Sequence, residues 1–169
     1  MILKEFPNYN YLSGDAISSA NRKLISKKTV DGSEINQIEL YPISDLEKNI
    51  IKYSVDFEKD LRFILDSSFI DVENIHDVDA NNYLIIALGF PDISLQEGLD
   101  NLNKYDTEDD WTYIESDFKK EMFMKSYINQ SKQMQKDCQK YNIKFINTSY
   151  NRQNVLSDAY KWLKDNINN

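Results

Sequence analysis

Two acids stand where an α/β fold would display them: Asp15 follows Leu12-Ser13-Gly14, and Asp66 closes the apolar run Phe63-Ile64-Leu65. In open parallel sheets the ligand crevice lies outside the carboxyl ends of the strands, so strand-terminal side chains are the first place to look for chemistry. Asp66 has the form of an aspartate that holds a magnesium ion, or its water, through a hard oxygen ligand. A buried strand followed by any polar residue gives the same pattern. Asp15 could accept a hydrogen bond from a substrate hydroxyl or orient a base, and it could equally cap the helix it precedes. Arg22, two helical turns further on, suits a substrate phosphate as well as an ordinary exposed site on an acidic protein. The remaining strand ends are Gly89-Phe90-Pro91 and Asn147-Thr148-Ser149, and Thr148 and Ser149 add hydroxyls at the same edge.

Other chemistry-bearing residues are weaker candidates. His76 has no second histidine or cysteine at ligand spacing, which argues for a surface or half-buried histidine over zinc. Cys138 falls on the apolar face of its helix and reads as core. Asp106, Glu108, Asp109 and Asp110 around Trp111 lack the alternating acids and glycine of an EF-hand loop, so they read as a solvated loop. No serine, cysteine and histidine arrangement suggests a covalent nucleophile.

The elements that must position these residues follow from periodicity. Met1 to Phe6 suit the end of a helix stopped by Pro7, and Asn8 to Leu12 a short strand; Ser13 or Asp15 then caps a helix carrying Ala16, Ile17, Ala20 and Leu24. Thr29 to Tyr41 reads as a loop. Ser44-Asp45-Leu46-Glu47 is a capping box opening a helix over about 45–61, with Leu46, Ile50, Ser54, Phe57 and Leu61 at helical spacing. Phe63 to Asp66 is a strand, and Asp71 to Asp79 a short helix. Tyr83 to Leu88 is unbroken apolar, as in a parallel strand covered on both faces. Ser94-Leu95-Gln96-Glu97 repeats the capping box. Met124, Tyr127, Ser131, Met134, Cys138 and Tyr141 mark one face of a helix over about 117–141. Lys144 to Asn147 is a strand, and Val155 to Ile167 a terminal helix. Strands alternating with helices predict α/β architecture with a mainly parallel sheet, and without repeats or linkers the 169 residues read as a single domain.

Composition narrows the function classes. A net charge of −8, with arginine only at positions 22, 62 and 152, disfavours a nucleic-acid binder. A single cysteine excludes an internal disulfide. Neither a secretory h-region nor a long apolar run appears, so a cytoplasmic protein with no membrane partner is expected.

Taken together, FPNYNYLSGDAI, RFILDS, YLIIALGFPDIS, YDTEDDWT and YNIKFINTSYNRQNVL resemble the P-loop nucleotide-kinase-like proteins, a broad group related to adenylate kinase. The resemblance covers most of the chain. It implies a three-layer α/β fold, phosphoryl transfer from ATP with magnesium, and a nucleotide or small-molecule substrate. Ser13-Gly14-Asp15 resembles the Thr-Gly-Asp that opens the substrate helix in that group, which implies Ser13 and Gly14 as substrate-binding residues. Ser18 stands where the group has an arginine, with Arg22 as a shifted substitute. Thr148 to Arg152 resembles the loop that passes near the adenine, implying Thr148, Ser149 and Arg152 as nucleotide-binding residues. The helices between Ser94 and Tyr141 would occupy the lid region and contain no arginine.

The group also has a central strand, a G-x-x-x-x-G-K-[ST] loop and a helix ahead of Ser-Gly-Asp. None of Gly14, Gly32, Gly89 and Gly98 belongs to such a loop. The chain thus reads as a kinase-like domain that starts late, without phosphotransferase activity of its own, or alternatively as a non-catalytic interaction or regulatory protein on the same fold. The missing central strand predicts one of two outcomes: direct pairing of 62–66 with 83–88 in a four-stranded sheet of order 8–12, 62–66, 83–88, 144–147, or a second chain filling the gap in an obligate homodimer.

Overall fold

The computed structural model describes residues 9–19, 43–57, 63–68, 71–76, 83–108 and 110–167. The expectations for Met1 to Phe6, for Thr29 to Tyr41 and for Arg22 lie outside these residues. The chain divides into two compact units, Met1–Asn82 and Tyr83–Asn169.

In the first unit β1 (Asn10–Ser13) pairs in parallel with β2 (Phe63–Asp66), Tyr11 opposite Ile64 and Ser13 opposite Asp66. A helical segment over residues 14–19 leaves β1 directly. Ser13 starts it: its Oγ accepts the Ala16 amide at 3.4 Å, which satisfies one of the free donors of a first helical turn. Asp15 therefore lies inside the helix and is not its cap. Helix α1 (Ile43–Phe57) buries Glu47 and Ile51, one position beyond the expected Leu46 and Ile50, which are half-buried. That is a rotation of about 100° about the helix axis. Ser44 lies within α1, so the first expected capping box is not its N-terminus. The short α2 (Val72–Ile75) buries Val72 and Ile75.

In the second unit β3 (Ile86–Gly89) pairs in parallel with β4 (Lys144–Asn147). Helix α3 (Leu95–Tyr105) opens with the expected box: Ser94 Oγ accepts the Glu97 amide at 3.2 Å and Glu97 Oε2 accepts the Ser94 amide at 3.1 Å. Gly98 lets α3 approach Met124 of α4 (Asp117–Tyr141); a Cβ there would lie 2.6 Å from the thioether sulfur. Met124, Ile128, Ser131 and Cys138 form the buried face of α4, and α4 packs on β3 and β4. Ile146 of β4 and Ala159 of α5 (Arg152–Ile167) complete this core. Asn142, left-handed at φ 55°, ends α4 with its amide on the Cys138 carbonyl.

The architecture is mixed α/β with parallel pairing, as expected, but the four strands do not make one sheet. Among the described residues there are two sheets of two strands, β1–β2 and β3–β4, in place of the expected four-stranded sheet. The expectation of closure assumed that β3 is covered on both faces. Instead its ladder begins only at Ile86, and Leu88 is 46 % exposed. Backbone groups that reach water carry no large penalty for lacking a strand partner.

Candidate functional site

The carboxyl ends of β1 and β2 bring together Ser13, Gly14 and Asp15 from one chain crossing with Asp66 and Ser67 from the other. Parallel pairing puts Ser13 beside Asp66. Tyr11, two residues earlier on β1, reaches diagonally and donates its hydroxyl to Asp66 Oδ2 at 2.9 Å. That hydrogen bond, then partial desolvation and the Asp66 charge, raise the Tyr11 phenol above its ordinary 10.0, so the hydroxyl stays a donor. Asp15 and Asp66 are both exposed.

Beneath this rim is a residue that periodicity missed. Glu47 is fully buried, at 0 % exposure. Its Oε2 accepts from Ser67 Oγ at 2.6 Å, while Oε1 is buried without a hydrogen-bond partner. Burial pushes the Glu47 carboxyl above its ordinary 4.5; the Ser67 hydroxyl opposes the shift and the Asp15 charge adds to it. Gly14 leaves room for this carboxyl, because a Cβ at that position would stand 2.5 Å from Oε1 and 2.9 Å from Ser67 Oγ. In the sequence Glu47 reads as the last residue of a capping box; the sign that it could be buried was its place four residues before Ile51, and the Ile50-Ile51 doublet made the buried face ambiguous.

A magnesium ion could find one ligand here. One oxygen of Asp66 is engaged by Tyr11, and among the described residues no three histidine, cysteine, aspartate or glutamate side chains group as a metal cage. Magnesium is commonly held by one or two carboxylates together with substrate phosphates, so the fit would depend on what a substrate brings.

The other expected residues fall in the second unit, where they tie the end of β4 to the turn after β3. The Thr148 amide and hydroxyl both donate to the Gly89 carbonyl, at 2.7 and 3.1 Å. Ser149 Oγ accepts the Asp92 amide at 2.9 Å, Asn147 Nδ2 donates to Asp92 Oδ2 at 2.6 Å, and the Tyr150 hydroxyl donates to the Asp92 carbonyl at 2.9 Å. Thr148 and Ser149 thus spend these groups on loop geometry. Arg152 is exposed at the first turn of α5. An open groove of about 520 Å³ is lined by Gln135, Gln139, Lys144, Asn147 and Trp162, with the Lys144 ammonium 5.6 Å from the indole centroid.

No family model, curated protein or solved structure matches this chain significantly. The site is therefore read on its own chemistry.

The remaining candidates have structural roles. His76 is exposed, with Nδ1 2.6 Å from the Glu73 carbonyl. Cys138 is buried at 1 % exposure, and burial raises its thiol above the ordinary 9.0. The acidic loop is only partly solvated. Asp106 is half-buried, its side chain 6 % exposed; it accepts the Thr112 hydroxyl at 2.6 Å and lies 3.6 Å from the Lys120 ammonium. Asp110 accepts the amide and hydroxyl of Thr107, both at 2.8 Å, in a local turn. No helix among the described residues is long and apolar enough to cross a membrane.

Proposed function

We propose that the β1–β2 edge binds a small molecule through hydroxyl or ammonium groups, where a nucleotide-kinase-like protein takes its acceptor, and that the 169-residue chain binds it without transferring phosphate. The observation that carries this reading is the meeting of exposed Asp15 and Asp66 with Glu47, whose buried Oε1 has no hydrogen-bond partner. Carboxylates accept hydrogen bonds and attract cations; two exposed at one edge repel a phosphate that has no cation beside it, and Glu47 lies buried beneath them. A nucleoside hydroxyl or an amine therefore fits better than a nucleotide's phosphate. ATP and magnesium would enter only with a phosphate cradle of backbone amides and a lysine, because phosphoryl transfer depends on positioning and charge stabilisation of the phosphates.

Calorimetric titration with adenosine, spermidine and Mg-ATP tests this. Saturable heat with adenosine or spermidine, lost in Asp15→Asn and Asp66→Asn, supports the proposal. Mg-ATP turnover abolished by Asp66→Ala would instead make the chain a kinase, and the absence of binding by all three probes would remove the site.

A further inference from the structure

At one end of the second unit, the α3–α4 loop and the first turns of α4 leave large apolar side chains in solvent. Tyr105, Trp111, Tyr113, Ile114, Phe118 and Met122 are all exposed, Ile114 at 87 % and Phe118 at 71 %. Phe118 and Met122 are one helical turn apart on the same side of α4. Trp111 meets Phe123 edge to face, with centroids 4.7 Å apart, which brings the loop against that turn. An apolar concentration of this kind within eighteen consecutive residues is more than scattered surface hydrophobics.

The same stretch is strongly acidic: Asp106, Glu108, Asp109, Asp110, Glu115, Asp117 and Glu121 stand against Lys119 and Lys120, a large share of the chain's net charge of −8. Its lysines are already beside carboxylates. Lys119 pairs with Glu115 at 2.7 Å, Lys120 with Asp106 at 3.6 Å, and Lys125 with Glu121 at 2.5 Å. Glu108, Asp110 and Asp117 remain on the exposed rim with no lysine paired to them in these contacts. Aromatic faces here also attract cations, as the Lys104 ammonium 5.0 Å from the Tyr105 centroid shows.

We infer that this surface docks a basic amphipathic segment of another protein, one that sets apolar side chains against Trp111, Ile114, Phe118 and Met122 and places lysines or arginines at the acidic rim. Charge selects that occupant. A second copy of this chain would bring like charges together across a symmetric contact, and anionic lipid or nucleic acid would be repelled by the same acids.

The test titrates a synthetic leucine–lysine amphipathic helix into the whole chain carrying Trp162→Phe, so that Trp111 alone reports. Saturable one-to-one binding is expected, weakened about tenfold or more by Ile114→Ser with Phe118→Ser, as for central anchor residues. Glu108→Gln with Asp117→Asn should weaken it as well, and affinity should fall as salt rises. Undiminished binding by the Ile114→Ser, Phe118→Ser variant would reduce the effect to diffuse charge attraction and overturn the proposal. So would the absence of peptide binding, dimerisation of the free chain that this variant abolishes, or binding to phosphatidylserine vesicles that it abolishes.

Discussion

Glu47 and Glu97 hold the same place in the same local motif, the fourth residue of Ser-x-x-Glu, and finish in opposite surroundings. Glu97 stays at the surface, where the Ser94 hydroxyl and then the Ser94 amide hold its carboxyl below the ordinary 4.5. Glu47 points inward onto Ser67 and Gly14, where burial holds its carboxyl above that value. The motif supplies a carboxylate within reach of a helix start; which way it turns depends on the buried face of the helix. In α3 the partly buried positions are Leu95, Leu99 and Leu102, with Gly98 against Met124, and position 97 lies on the wet side. In α1 the buried pair is Glu47 and Ile51, so the acid is carried into the interior.

The largest expected effect is at Gly14. Gly14→Ala puts a Cβ 2.5 Å from Glu47 Oε1 and 3.1 Å from the Asp66 carbonyl, and overpacking of this kind costs about 1–3 kcal/mol. Removing Glu47 in the same chain should return part of that, a coupling of about 0.5–3 kcal/mol as for residues in contact. Gly98→Ala in the second unit is the control. Its clash is with the flexible Met124 thioether, and alanine gains about 1 kcal/mol of helix propensity, so the net change should lie near zero. Both tryptophans, Trp111 and Trp162, belong to the second unit, so unfolding of the first must be followed by circular dichroism or hydrogen exchange of β1 and β2. If Gly14→Ala and Gly98→Ala behave alike, Glu47 does not rest against Gly14.

Opposite pKa directions give opposite pH dependence. Glu47 is raised in the fold, so the stability it contributes is complete below about 4.5 and is lost as pH rises through its folded value. Glu47→Gln, which mimics the protonated acid and can still accept from Ser67, should melt higher than the parent at neutral pH and lose that advantage in acid. Melting curves across the pH range check this. A parent and variant that differ equally at every pH would show that Glu47 does not titrate differently on folding.

Much of this was legible in the sequence because it is local. The strand ends, the box at Ser94, the core position of Cys138 and the long helix over 117–141 all follow from spacing alone. The pairing of β1 with β2 and of β3 with β4 keeps the expected neighbours. What failed was long-range. Closure into four strands assumed a buried β3, but Leu88 lies at the surface. The Ile50-Ile51 doublet let α1 turn by one residue, and that turn decides where Glu47 goes. Thr148 and Ser149 sit at a strand end as expected, yet Asp92, fifty-five residues from Asn147, ties that loop to the turn after β3, and no periodicity records such a contact.

The smallest effect sharpens the comparison from the exposed side. Ser94→Ala removes the acceptor of the Glu97 amide and the hydroxyl that donates to Glu97 Oε2 at 2.8 Å. The backbone amide at position 94 can still reach that carboxylate, so half of the box survives. Loss of a serine cap costs about 1 kcal/mol, and in a chain of this length each kcal/mol lowers the melting temperature by roughly 2–4 °C. Because Glu97 is held low, its contribution is present above 4.5 and is lost as pH falls through its folded value, the reverse of Glu47. The Ser94→Ala deficit should therefore shrink in acid, where the protonated Glu97 has no charge for the hydroxyl to stabilise. A deficit that persists unchanged in acid would mean that Ser94 acts only on the Glu97 amide; a deficit as large as that of Gly14→Ala would mean that α3 depends on its cap as heavily as β1 and β2 depend on their buried acid.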